Sequence, residues 1–261
     1  MSAKQESTKV LCMDKVEKHF GGVRAIDAFS LTLHEGVVYG LIGPNGAGKT
    51  TIFNTITGIY TPSAGKIHFY EKDITSIRPF EAAQLGIGRT FQNIRLFSNM
   101  SVLDNVVMAC SMDADYKMPA AIFRLPKYRK LEKQINEKAM GLLETMGLED
   151  RANERASSLP YGHQRKLEIA RAMALNPKLL LLDEPAAGMN ADEEIELVEF
   201  IKGIHQRFSL TILLIEHHMD VVANLCDHVT ALNFGKTIAE GTPAEVKSNQ
   251  AVIDAYLGVA K

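Results

Sequence analysis

Short apolar runs bounded by Gly, Pro or charged residues recur along this chain. Val37, Val38, Tyr39, Gly40, Leu41 and Ile42 form one; Leu179 to Leu182 form a second; Leu210, Ile212, Leu213, Leu214 and Ile215 form a third, broken by Thr211. Runs of this length without alternation predict strands buried on both faces, as in a parallel sheet. Between the second and third runs, Ile195, Val198, Ile201 and Ile204 recur at helical spacing. Two such strands around one helix predict a β-α-β unit. The first forty residues behave differently: apolar and polar positions alternate between Gly-rich breaks, predicting short strands near 10–13 and 29–33. A further strand is predicted at 66–70, after the turn Pro62-Ser63-Ala64-Gly65, and a short one at 86–91. A helix is expected over 79–85, with Gly86 as its stop.

The middle of the chain, about 101–158, reads as helical. Ser101 followed by Asp104 marks a helix start, and Leu131, Ile135, Ala139, Leu142 and Met146 recur at helical spacing before Gly147. Between these helices, residues 111–126 mix Met112, Met118, Ile122 and Phe123 with Arg124, followed by Lys127. Two readings stay open there: a membrane-surface or partner-binding segment, or an ordinary excursion carrying some core residues. Near the end, Thr242-Pro243-Ala244-Glu245 is a capping box with Pro at the first helical position. It is expected to open one terminal helix carrying Val252, Ile253, Tyr256 and Leu257.

Candidate chemistry sits at the ends of the apolar runs. Gly43-Pro44-Asn45-Gly46-Ala47-Gly48-Lys49-Thr50 follows the first and fits G-x-x-x-x-G-K-S/T, the phosphate-cradling loop of nucleotide triphosphatases. A stretch at 50–56 that can continue as a helix completes the strand-loop-helix context. Amides at the start of such a helix point at a triphosphate, and the helix dipole favours its charge. Lys49 is then placed to reach the β and γ phosphates, and the Thr50 hydroxyl to ligate Mg²⁺, with Thr51 beside it. Asp183 ends the second run and suits a further Mg²⁺ contact; Glu184 follows it and is placed to polarise an attacking water. His217, at the exit of the third run, can contact a γ-phosphate and orient that water or Glu184. The amide oxygen of Gln92, in Arg89-Thr90-Phe91-Gln92, is a candidate for Mg²⁺ or the water.

Charge and composition narrow the setting. The 261 residues carry 29 Lys and Arg against 31 Asp and Glu, which gives no nucleic-acid footprint. Cys12, Cys110 and Cys226 lie far apart without metal-type spacing and read as reduced and buried. The start, Met1 to Ser7, is polar with no apolar signal core, and no apolar run approaches the roughly 18 residues of a spanning helix. Any membrane role is therefore expected to be peripheral, through partners.

Leu159-Pro160-Tyr161-Gly162-His163-Gln164, before a basic helix expected at 165–175, separates the classes of triphosphatase. Together with the phosphate loop, Gln92, Asp183-Glu184 and His217 in that order, it resembles the nucleotide-binding subunit of ABC transporters, over almost the whole chain. The subgroup serving branched-chain amino acid uptake is the nearest likeness. Its marks are Phe20-Gly21-Gly22 with Ala25, the run from Arg89 to Phe97, Leu167-Glu168-Ile169-Ala170-Arg171, the run from Asp183 to Asn190, and Ala255-Tyr256-Leu257-Gly258.

The resemblance implies an α/β fold: a P-loop NTPase core with a mainly parallel sheet, an N-terminal antiparallel β subdomain and a helical subdomain inserted in the middle. The catalytic core would take about 9–92 and 159–240, the helical part about 98–158, and a terminal helix 242–261. It implies an ATP-hydrolysing importer subunit, peripheral on the cytoplasmic face of the bacterial inner membrane. Its partners would be two permeases, a second nucleotide-binding subunit (paralogue or self) and, indirectly, a periplasmic binding protein. ATP would be held by residues 43–51 and, from the partner subunit, by Tyr161, Gly162 and His163. Phe20 would stack on adenine, an ordinary core aromatic being the other reading. Phe97, Met100 and Val102 would line a groove for the permease. The chain departs from the family where Pro160 replaces Ser, Tyr161 replaces Gly, His163 replaces Gln, Asn190 replaces Asp and His218 replaces Asp. Pro160 offers neither hydroxyl nor N–H to a phosphate. Other cargoes (urea, other amino acids, lipid export), a soluble non-transport ABC ATPase and a phosphate-loop kinase are the competing readings.

Overall fold

The computed structural model describes residues 8–113 and 126–257. Residues 1–7, Gly258 and most of the 111–126 segment lie outside the described residues, so the two readings of that segment stand where they were. In chain order the elements are β1 (Lys9–Phe20), β2 (Val23–His34), β3 (Val38–Ile42), α1 (Lys49–Ile56), β4 (Ala64–Phe69), β5 (Lys72–Asp73), α2 (Pro79–Gln84) and β6 (Ile87–Arg89). Then follow α3 (Val102–Cys110), α4 (Pro126–Met146), α5 (Tyr161–Met173) and β7 (Leu179–Asp183). The chain closes with α6 (Ala191–Phe208), β8 (Thr211–Ile215), α7 (Met219–Leu225), β9 (His228–Asn233), β10 (Lys236–Gly241), α8 (Pro243–Lys247) and α9 (Gln250–Leu257). They form two compact units, one of residues 1–87 and 178–261, the other of 88–177.

The first unit holds two sheets. The antiparallel one runs β2-β1-β4-β5, and β1 pairs with β2 from Lys9↔His34 to Phe20↔Val23. These strands, of 12 residues each, are more than twice the length that alternation predicts. Register shifts between Met13 and Val16, with left-handed backbone at Lys15 and Ala28, insert bulges that break the two-residue period. The other sheet runs β10-β9-β3-β8-β7-β6, and at β6 the chain passes into the second unit. β3 pairs in parallel with β8 and β9, and β7 in parallel with β8; β10 returns antiparallel to β9. Every residue of β3, β7 and β8 is buried, which accounts for their unalternating sequence.

Two helices differ from the pattern reading. On α6 the buried face is Leu197, Val198, Ile201 and Ile204, while Ile195 is 64% exposed and drops out of the stripe. The expected single terminal helix is two, α8 and α9. The Thr242 capping box starts α8 as expected, but Asn249 Oδ1 accepts the Ala251 N–H at 2.9 Å and starts α9 afresh.

In the second unit, Ser101 Oγ caps α3 by accepting the Asp104 N–H at 3.0 Å. Val102, Val106, Ile135, Ala139, Leu143 and Leu167 are buried in this unit's core. Val102 is fully buried and is no groove residue, whereas Phe97 is 45% exposed. α5 begins at Tyr161, four residues before the expected start, with Pro160 at its N-cap. A proline's fixed φ suits the entry to a helix, and its missing N–H costs nothing there.

Candidate functional site

β3 ends at Ile42 in the centre of its sheet and delivers the phosphate-loop sequence to the sheet's carboxyl edge. Two glycines in it are obligatory. Gly43 has φ 145° and an added Cβ would stand 2.2 Å from the Leu232 carbonyl oxygen; Gly48 has φ 107° and its Cβ would stand 2.4 Å from that of Ala25. Gly48 is also the N-cap of α1, so the helix's first amides, from Lys49 on, have no intrahelical acceptor. The loop is anchored below by Gly235, whose N–H donates to Ala47 O at 2.9 Å while its own carbonyl accepts from Asp27 N–H.

Lys49 is 5% exposed, and its Nζ donates to Gly43 O at 2.7 Å and Pro44 O at 3.1 Å. Burial pushes its pKa below the usual lysine value, and the negative charges of Glu184 and Asp183 pull the other way. Those carboxylates come from β7, whose last residue is the buried Asp183. Glu184 follows with φ 47°, a left-handed backbone that Gly, and occasionally Asn, adopts readily but that is strained for Glu. Its N–H donates to Ile215 O at 2.9 Å, and its Oε1 lies 2.6 Å from His217 Nε2. With the carboxylate ionised, that contact places a proton on Nε2.

Because β3, β7 and β8 are parallel neighbours, their carboxyl ends bring Gly43, Asp183-Glu184 and His217 to one edge, where ligands bind in open α/β sheets. Pattern reading gave Glu216 no role. It is 2% exposed; Oε1 accepts from Ala186 N–H at 2.9 Å, and Oε2 from the N–H of His217 at 2.9 Å and of His218 at 3.4 Å. One buried carboxylate thus ties the turn after Glu184 to the turn bearing His217. The signal was a charged residue ending an otherwise apolar strand. His218, the departure from Asp, pairs through Nδ1 with Glu194 Oε1 at 2.5 Å.

Asp183 and the Thr50 hydroxyl are hard oxygen donors, of the kind Mg²⁺ takes. Among the described residues no three His, Cys, Asp or Glu side chains gather as a metal cage. Phe20 is 43% exposed, not a core residue; it meets Tyr60 edge-on at 5.1 Å, with Lys18 Nζ 5.1 Å from its centroid.

Tyr161, Gly162, His163 and Gln92 belong to the second unit. The first three form the opening turn of α5, and a Cβ added at Gly162 would meet nothing within 4 Å. Gln92 is exposed, and its carbonyl accepts from Arg165 Nη2 at 3.2 Å. Arg165 Nη1 donates to Phe91 O at 2.9 Å and to Glu168 Oε2 at 2.7 Å. Glu168 Oε1 accepts from the N–H of Phe91 at 3.2 Å and of Arg95 at 3.4 Å. Arg171 further donates to Arg95 O. α5 thus grips the backbone of 91–95 through a buried ion pair. Burial raises the Glu168 pKa, against Arg165 and the two amides.

The profile of the family described as ABC transporter matches residues 26–187. This chain belongs to that family. The cassette's last segment, 236–261, also matches the profile described as branched-chain amino acid ATP-binding cassette transporter. The cassette is 41% identical, over 97% of its length and all of the relative's, to the high-affinity branched-chain amino acid transport ATP-binding protein LivG of Salmonella typhimurium. It is 40% identical, over 97% of its own length and all of the relative's, to BraF of Pseudomonas aeruginosa, a protein of the same description. Among solved structures, the ADP conformation of MJ1267, an ATP-binding cassette of an ABC transporter, matches with a TM-score of 0.84 at 33% identity, over 96% of this cassette and 99% of that one. No helix among its described residues is long and apolar enough to cross a membrane.

Proposed function

We propose that this chain is the ATP-hydrolysing subunit of an ABC importer that energises uptake of branched-chain amino acids through membrane permeases. The carrying observation is the shared edge where Lys49, Asp183 and the Glu184–His217 pair converge. ATP is held by residues 43–51: the first amides of α1 face the phosphates and Lys49 neutralises them. Phe20 stacks on adenine, a contact worth about 1–3 kcal/mol. Thr50 and Asp183 would hold Mg²⁺, with Gln92 a further ligand as the family resemblance implies, and the ion would neutralise phosphate charge when bound. Glu184 polarises the attacking water, while His217 holds Glu184 in place and meets the γ-phosphate. A second subunit's Tyr161, Gly162 and His163 close the site in trans, and in an exchange between equal subunits this gives a two-fold pair. The subunit is peripheral, on the cytoplasmic face of the cell membrane.

The cargo rests on the relatives' descriptions and on the segment 236–261. Phosphate release from Mg-ATP tests the chemistry. Glu184→Gln is expected to lower turnover about 100-fold or more with ATP binding retained, within the range for a lost general base. Undiminished turnover in that variant would remove the role given to Glu184. For the cargo, a thermal-shift screen of the associated binding protein against Leu, Ile and Val is decisive: indifference to all three refutes it.

A further inference from the structure

The C-terminal helix reaches the phosphate loop. Gly43 is buried, and β3's ladder ends just before it, at Leu41↔Ile215 on one side and Ile42↔Ala231 on the other. Its N–H is therefore the first amide with no strand to receive it, and a buried amide needs a partner. That partner is the hydroxyl of Tyr256, 213 residues away, which accepts it at 2.9 Å. The peptide on the other side of Gly43 is held through its carbonyl by Lys49 Nζ at 2.7 Å. Gly43 is the hinge between sheet and loop, with a φ of 145° that glycine alone tolerates, and both of its flanking peptide planes are pinned by side chains. Lys49 has three donors to divide between these carbonyls and phosphate; Tyr256 has no such competing task. α9 is seated by Val252, which is 4% exposed; Tyr256 is 43% exposed over the whole residue, and partial desolvation of its phenol raises its pKa. Tyr256 lies inside the segment matched by the branched-chain profile and outside the 26–187 matched by the general one.

We propose that Tyr256 is a positioning residue of the nucleotide site: its hydroxyl sets the entry angle of the phosphate loop, making the C-terminal segment a working part of ATP binding. The inference rests on residues 43–51 being the ATP site. A loop already held in its binding geometry loses less freedom when ATP arrives, so the effect falls on affinity.

Tyr256→Phe removes one oxygen and keeps the ring. In the full chain it is expected to raise KM for ATP about threefold to tenfold, the scale of one hydrogen bond, with kcat held within about twofold. Titration with a fluorescent ATP analogue should show the same loss. Exchange of the Gly43 amide, followed by NMR without nucleotide, should quicken at least about tenfold as its acceptor goes. Leu257→Ala, on the same helix and 71% exposed, should leave all three unchanged. An unchanged KM in Tyr256→Phe, or an equal loss in Leu257→Ala, overturns the positioning role. Unaltered Gly43 exchange overturns the contact itself. Failure of the wild-type chain to bind the analogue is a different result: it removes the ATP-site reading and this inference with it.

Discussion

Lys49 carries its charge where burial opposes it, and this has a pH signature. Its folded pKa lies below its unfolded value of about 10.5. The unfolded chain therefore binds more protons through that window, and Lys49 adds stability as pH rises from its folded pKa to 10.5. Against Lys49→Met, the wild type should gain relative stability in denaturant melts as pH rises toward about 10.5, and a flat difference would contradict the buried charge. The same substitution should abolish ATP binding. Much of this chemistry was legible beforehand. Asp183, Glu184 and His217 sit at the exits of apolar runs and Lys49 in the loop motif that follows one, and both are short-range signals. Glu216 carries the same exit signal, but its role, like the contacts made by Tyr60 and Tyr256, depends on a partner distant in sequence, at 30, 40 and 213 residues respectively.

At the scale of elements, α5 and the 91–95 segment behave as one piece. Arg165→Met leaves Glu168 buried without its partner, a loss of about 3–5 kcal/mol in the second unit's stability. Thermal melts should show a drop of several degrees, and a melt unchanged from wild type would refute the buried pair. Glu168→Gln has a distinct pH dependence. Because the folded pKa of Glu168 is raised, its favourable contribution is complete below about pH 4.5 and is lost as pH rises through the folded value. The Gln variant should thus gain on the wild type as pH rises above about 4.5, and a difference that moves the other way would contradict the burial. Elements were legible where one period ruled. β3, β7 and β8 read cleanly because every one of their residues is buried, whereas β9, parallel to β3 but with its end residues less buried, was not predicted; β1 and β2 were read too short, because bulges at Lys15 and Ala28 reset their alternation. The break between α8 and α9 depends on one Asn249 side chain, a contact that helical spacing does not encode.

For the whole molecule, the proposed trans contact makes the working unit a pair. Glu184→Gln with Mg-ATP should accumulate that pair in sedimentation, alone or with the paralogue, since the bridging nucleotide is no longer consumed. Sedimentation unchanged by ATP in both mixtures would sink the composite site. The left-handed backbone at Glu184 gives stability and activity opposite interests. A glycine there would relieve roughly 1–2 kcal/mol of conformational cost while deleting the carboxylate. Laboratory evolution that rewards only heat tolerance should therefore enrich Gly or Asn at position 184 and yield robust, silent cassettes. Selection for transport must continually hold the chain away from that easier sequence.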